Sequence, residues 1–257
     1  MIFFTTFSRA NWDEYARYTI PTWRKLGAKK VSIYWDGSEI PESLAEFLLA
    51  NKDWVQLRML QDQALDFQRD MAPERALECM KTGKYRYRRD IRKFAWPVFC
   101  WAQALRDFGS QALVWMDADV AVKTAVPFGV VFPDAQSEIT YLGRTHHPQE
   151  YPYTESGLIG WHFRENAAAA VFADRLADFL VSGRIYGYPQ WHDCVVFDEL
   201  RKESMGIFFK SISRRPEVDH VFDDTLAEYL WHYRGPLRKR EAWELDGFNP
   251  ESYEQMK

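Results

Sequence analysis

Two carboxylates, Asp117 and Asp119, close an apolar run in the stretch ALVWMDADVAV at 112–122. Carboxylate oxygens are hard ligands that suit Mg²⁺ or Mn²⁺. On an extended chain the side chains at i and i+2 point the same way, so this spacing would aim both acids at one cation. With neither a cation nor a proton between them, two half-buried like charges this close repel. Acids also end strands and begin turns, so a structural role for this short pattern competes until the rest of the chain is weighed.

Other reactive side chains fall near the acid pair or late in the chain. The stretch KYRYRRDIR at 84–92 is dense in cations, includes Arg89, and runs into Lys93 and an apolar helix ending at Leu105. Only 107–111 separates that helix from the run before the acids, so the cations could face phosphates there; the plainer alternative is a solvated helix entry. Trp191, His192 and Asp193 open a further helical stretch, where an acid commonly serves as a cap. His146 and His147 are adjacent on a loop and suit surface or substrate contact better than one shared ion. The chain has no G-x-G-x-x-G and no Walker A pattern. Bound phosphates would therefore rely on a cation held by acids, with Arg or Lys nearby.

The elements that must position these groups alternate. Residues 2–7 read as a strand ending in Thr5 and Thr6. Asn11 is the expected cap of a helix at 12–26, broken near Pro21. Residues 30–35 form a second strand before Asp36-Gly37-Ser38, Pro41 opens a helix to residue 50, and 55–60 is a third strand. Residues 112–116 are a buried strand leading straight to Asp117. Strand–helix alternation of this kind gives a parallel sheet, with ligands bound beyond the carboxyl ends of its strands. Further on, 138–144 and 155–163 read as strands, Asn166 as the cap of a helix to 181, 190–202 as a helix, 207–213 as a strand and 219–224 as a polar loop. The expected fold class is α/β with a mixed, mainly parallel sheet flanked by helices.

Composition narrows the possibilities. The 257 residues suit one compact unit, and a net charge of −4 gives no general case for nucleic-acid binding. Three cysteines (Cys79, Cys100 and Cys194) without C-x-x-C fit a reducing compartment. There is no apolar run of membrane-spanning length, and MIFFTTFSRANW lacks the basic start of a signal peptide. A cytoplasmic protein is expected, with Arg234–Arg240 as a weak basic patch for a membrane periphery. Eleven Trp and thirteen Tyr are many; most suit the core, and some would line a groove, since each offers an apolar body with a polar tip.

Several stretches together resemble the GT-A glycosyltransferases, in particular the retaining, glycogenin-like and bacterial galactosyltransferase-like group (glycosyltransferase family 8 and relatives). ALVWMDADVAV is similar to that group's strand ending in D-x-D. WHYRGPLRK at 231–239 resembles its C-terminal H-x-x-G-x-x-K motif, with His232 and Gly235 in place and Arg238 where the lysine falls. The resemblance extends to the opening FTTFSRANWDEYARYTIPTW, to VSIYWDGSEIP, to ESGLIGWHF and to QWHDCVVFDEL. It implies a single GT-A (Rossmann-like) domain over 1–257, with a nucleotide-binding half at 1–122 and an acceptor half at 123–257. It also implies a metal-dependent enzyme using Mn²⁺ (or Mg²⁺) and a nucleotide-diphosphate sugar donor, with retention of configuration.

Carried onto this chain, the resemblance makes Asp117, Asp119 and His232 the metal ligands. It places Thr5, Thr6 and Asp36 at the nucleoside, Asp117 and Ala118 beside the donor, and Gly235 and Arg238 at the phosphates. Arg89 and Lys93 are expected at the donor phosphate or sugar, and Asp193, His192 and Glu155 at the reacting sugar or acceptor. The chain departs from the group at Glu155-Ser156-Gly157, where Asn/Asp-Ala-Gly is common, and at His192-Asp193, where Gln-Asp is common. The acceptor stays open among glycan, lipid-linked, protein and nucleic-acid classes. Two other readings compete. A sugar-phosphate nucleotidyltransferase would carry a glycine-rich loop where this chain has Ser8-Arg9-Ala10-Asn11, and a non-catalytic sugar-binding module would leave the acids structural.

Overall fold

A computed structural model describes residues 1–27, 30–35, 39–67, 90–145, 154–203, 206–218 and 220–233. Four short strands form a parallel run of one sheet: β1 (Ile2–Thr6), β2 (Val31–Trp35), β3 (Val55–Met59) and β4 (Leu113–Met116). Two short strands, β5 (Val120–Val122) and β9 (Leu230–His232), pair with each other outside this sheet. The main sheet is completed by β6 (Ile139–Gly143), β7 (Thr154–Trp161) and β8 (Phe209–Ser211), giving seven strands in the order β3-β2-β1-β4-β7-β6-β8. Only β7 runs against its neighbours β4 and β6, so the sheet is mixed and mainly parallel, as the sequence predicts.

Side-chain alternation along the central strands separates two cores. Phe4, Leu113, Trp115, Ile159 and Trp161 face a layer containing α2 (Ile91–Phe108), α3 (Asn166–Val181) and α4 (Asp193–Glu203). Phe3, Val114, Met116 and Leu158 face the other way, toward the helical segment 9–26, α1 (Glu42–Ala50) and α5 (Val221–Leu226). Both faces are covered, and so β1, β2 and β4 are mostly buried and carry few polar residues, chiefly Thr5, Thr6 and Ser32. Trp23, Trp35, Trp101, Trp115 and Trp161 are fully buried, which assigns much of the tryptophan surplus to packing.

Several boundaries differ from the sequence expectation for local reasons. Ser8, not Asn11, caps the first helical segment: the Ser8 hydroxyl accepts from the Asn11 backbone N–H, while the Asn11 side chain is spent on Ser8 and Tyr15. The expected weakness near Pro21 appears as a tightened 3₁₀ stretch, Ile20–Leu26, ended by Gly27. Asn166 begins α3 but does not cap it, because its side-chain oxygen accepts from the Ser110 backbone N–H. The polar stretch expected as a loop at 219–224 contains the start of α5, whose Val221 and Phe222 are buried. Among the described residues no helix is long and apolar enough to cross a membrane.

Candidate metal and donor site

β4 ends at Met116, and the chain turns through Asp117, Ala118 and Asp119 before β5. The two acids thus sit on a turn and not on the extended segment their spacing suggests. Backbone bonds hold it tightly. Asp117 N–H donates to the Gly157 carbonyl (3.1 Å), Val120 N–H to the Asp117 carbonyl (3.0 Å) and Tyr233 N–H to the Asp119 carbonyl (3.1 Å). The segment 9–26 reaches the same turn from a third side. The Thr19 hydroxyl donates to the Ala118 carbonyl, and the Trp23 indole to the Val120 carbonyl (2.7 Å). Trp115 fixes the first carboxylate, its indole N–H lying 3.1 Å from Asp117 Oδ1 and 2.8 Å from the Ser156 carbonyl.

His232 arrives from more than a hundred positions away in sequence. It reaches the turn because β9 pairs antiparallel with β5, in a register that sets His232 opposite Val120. Its Nε2 is 3.3 Å from Asp119 Oδ1 and 3.8 Å from Asp117 Oδ2. One ligand atom from each of Asp117, Asp119 and His232 lies within 4.8 Å of the other two. Gly157 makes room for the ring: a Cβ there would meet His232 Cε1 at 2.9 Å and Phe222 Cδ2 at 3.0 Å. Phe222 packs on the imidazole with ring centroids 4.6 Å apart.

The electrostatics match a cation site. Burial and the neighbouring charge of Asp119 push the Asp117 carboxyl up to about 7, against the opposing pull of His232. Burial lowers the His232 imidazole, but Asp119 and Asp117 outweigh it and leave the ring above its ordinary value. Burial, then the charges of Asp119 and Asp117, also raise the Tyr15 phenol. Two carboxylates and one imidazole in such a field form a donor set that fits a divalent ion such as Mn²⁺ or Mg²⁺.

The remaining expected residues divide into groups. Asp193 is buried at the start of α4, near enough for its charge to act on Asp117; burial raises its own carboxyl, against a hydrogen bond with Ser156. His192, just before it, stacks on Phe94 with ring centroids 4.2 Å apart, and exposed Lys93 precedes Phe94 on the first turn of α2. Thr5 and Thr6 end β1 at the same sheet edge as Asp117; the Thr6 hydroxyl donates to the Tyr34 carbonyl (2.7 Å), whereas the Thr5 hydroxyl is buried with no hydrogen-bond partner among the described residues. Glu155 is buried beside His232 and paired with Arg144 at 2.8 Å. Asp36, Arg89, Gly235 and Arg238 lie outside the described residues, as do His146, His147 and the basic run 234–240. Trp115, Thr19, Trp23 and Arg144 escaped the sequence reading. Only Trp115 carried a signal, standing two residues before Asp117 on the same strand.

The sequence matches no known family model and no curated protein. Among solved structures, that of the galactosyltransferase LgtC in complex with donor and acceptor sugar analogues aligns at a TM-score of 0.52 and 11% identity, over 92% of this chain and 88% of that one. The fold is the GT-A fold. Apo mouse xyloside xylosyltransferase 1 aligns at a TM-score of 0.48 and 13% identity, over 82% of this chain and 85% of that one. A glycosyltransferase involved in the glycosylation of the major capsid of PBCV-1 aligns at 0.48 and 14%, over 95% and 99%. The acid turn follows β4, the strand at which the parallel run β3-β2-β1-β4 meets the antiparallel β7.

Proposed function

We propose that this protein is a metal-dependent glycosyltransferase that moves a sugar from a nucleotide-diphosphate donor to an acceptor, with retention of anomeric configuration. The observation that carries this reading is the meeting of Asp117, Asp119 and His232 at the carboxyl edge of a GT-A sheet. These three side chains would hold Mn²⁺ (or Mg²⁺), which offsets the negative charge of the departing nucleotide diphosphate. Retention is supported by the sequence resemblance to the retaining group.

The chain's own groups have distinct tasks in this proposal. The rigid turn at 117–119 presents the acids with little freedom to rearrange, a form of electrostatic preorganisation. Asp193, buried on the wall shared with Ser156, stabilises positive charge that develops on the sugar. His192, steadied by Phe94, orients the acceptor, and Lys93 faces the donor phosphates. Thr5 offers a buried hydroxyl at the nucleoside end. Residues 1–122 thereby supply the nucleotide-binding half, and 123–257 supply His232 and the acceptor side.

A panel of nucleotide sugars with Mn²⁺ tests this reading by donor hydrolysis, run on wild type beside Asp119→Ala and His232→Ala. The expected result is one donor cleaved by wild type and spared by both variants. Pyrophosphate release from a nucleoside triphosphate and a sugar phosphate, with no donor cleaved, would replace the transferase with a nucleotidyltransferase. Net inversion in the transferred product would overturn retention alone.

A further inference from the structure

We infer that Glu155, anchored by Arg144, is a positioning residue for His232 and not a group that meets the sugar. The inference rests on the metal-site reading above.

The two nitrogens of the His232 ring face opposite acids. Nε2 faces Asp119 Oδ1 at 3.3 Å and Asp117 Oδ2 at 3.8 Å, while Nδ1 faces Glu155 Oε1 at 3.8 Å. The other oxygen of Glu155 is 2.8 Å from Arg144 Nη2 and accepts from the Phe222 backbone N–H at 3.2 Å. Glu155 is 6% exposed and the Arg144 side chain 10%, so this carboxylate is buried on the side of the imidazole opposite the acid pair. It ties the end of β6, the start of α5 and the ring of β9 together at one point.

An imidazole ligates through one nitrogen only when the lone pair there is available and the proton sits on the other nitrogen. Asp119 and Asp117, facing Nε2, favour a proton on that nitrogen; Glu155, facing Nδ1, opposes them by favouring the Nδ1–H tautomer, which frees the Nε2 lone pair for a cation between ring and acid pair. Arg144 compensates the buried charge of Glu155 and restrains its rotation. Phe222 on the ring and Gly157 at its Cε1 edge complete the cage.

The test is a double-mutant cycle on Mn²⁺ affinity, read by electron paramagnetic resonance of free Mn²⁺. It compares wild type, Glu155→Gln, His232→Ala and the double variant. Glu155→Gln is expected to weaken binding about 10-fold or more, the scale of an outer-shell partner, yet to change it less than about 2-fold once His232 is gone, because coupled residues are non-additive. Equal weakening in both backgrounds, or none in either, would overturn the inference while leaving the metal site standing. If wild type binds no Mn²⁺, the metal reading falls and this one falls with it. If Glu155→Gln does not fold, the paired Arg144→Gln/Glu155→Gln variant removes both buried charges and enters the same cycle. Nitrogen chemical shifts of the His232 ring give a second readout in metal-free protein at alkaline pH. Glu155→Gln is expected to move the tautomer balance toward Nε2–H; an unchanged balance would overturn the inference.

Discussion

The acid turn and the histidine that joins it are held in opposite ways. The turn at 117–119 is short, follows a buried strand, and is anchored redundantly: by backbone bonds to Gly157, Val120 and Tyr233, and by Thr19, Trp23 and Trp115. His232 depends on a three-residue strand, the missing side chain of Gly157, one aromatic ring and one buried carboxylate. Two of the proposed ligands are therefore built into the turn at the sheet's edge, and the third is brought to them by packing. The backbone of the turn is expected to keep its shape on the loss of any one anchor, and the histidine to tolerate very little.

The largest effect should come from the built-in side. Asp119→Ala removes a ligand outright, and Mn²⁺ affinity is expected to fall by more than about 100-fold, beyond the 10–100-fold range of outer-shell changes; titration calorimetry measures it. A retained affinity would remove Asp119 from the ligand set. Gly157→Ala attacks the packed side without replacing a ligand. Its methyl would press on two ring edges that cannot fold away, and overpacking of this kind costs about 1–3 kcal/mol. Mn²⁺ binding is expected to weaken by about 10–100-fold with the overall circular dichroism spectrum preserved. Normal affinity in Gly157→Ala would show that His232 has more freedom than its contacts indicate.

Acidification acts on both sides at once. A metal ion must displace the proton that Asp117 holds up to about 7, and the raised His232 must likewise be neutral to bind. Affinity should therefore rise with pH through about 7, with binding at least about tenfold weaker at pH 6 than at pH 8. A flat profile over that window would contradict the crowding of charge at the site. Trp115→Phe is expected to cost about 10-fold in Mn²⁺ affinity by freeing Asp117 Oδ1, since a hydrogen bond to a charged group contributes about 1.5–3 kcal/mol. The smallest change should come from Thr22→Val, which deletes the acceptor for the Val122 N–H at 2.8 Å. About 1 kcal/mol of stability in urea unfolding is expected to go, with metal affinity altered less than about 2-fold because the turn keeps its other anchors.

Much of the first half was legible because its determinants are local. Apolar runs bounded by turn residues marked β1, β2, β3 and β4 to within a residue or two, and Pro41 marked the start of α1. The second half was harder to read. Residues 219–224 look polar in sequence, yet Val221 and Phe222 are drawn into the core at the start of α5. In β7, the register against β6 shifts between Tyr141 and Leu142, so simple alternation could not say which way Glu155, Ser156 and Gly157 would face. Glu155 was expected at the reacting sugar; that it also stands beside His232 was not legible, because Arg144, which pairs with it, is placed beside it only when β6 and β7 pair.

By itself, the sequence determined an α/β sheet with paired acids at the carboxyl end of a central strand, because hydrophobic period, strand length and turn residues act over a few positions. That His232 meets those acids was suggested by likeness to a family motif and by nothing in its own neighbourhood. Only the tertiary structure decided it, through the β5–β9 register and the space left by Gly157. The orientation of the ring between Asp119 and Glu155 was likewise a tertiary decision, since it depends on groups from four separate segments whose contacts exist only once the sheet has closed around them.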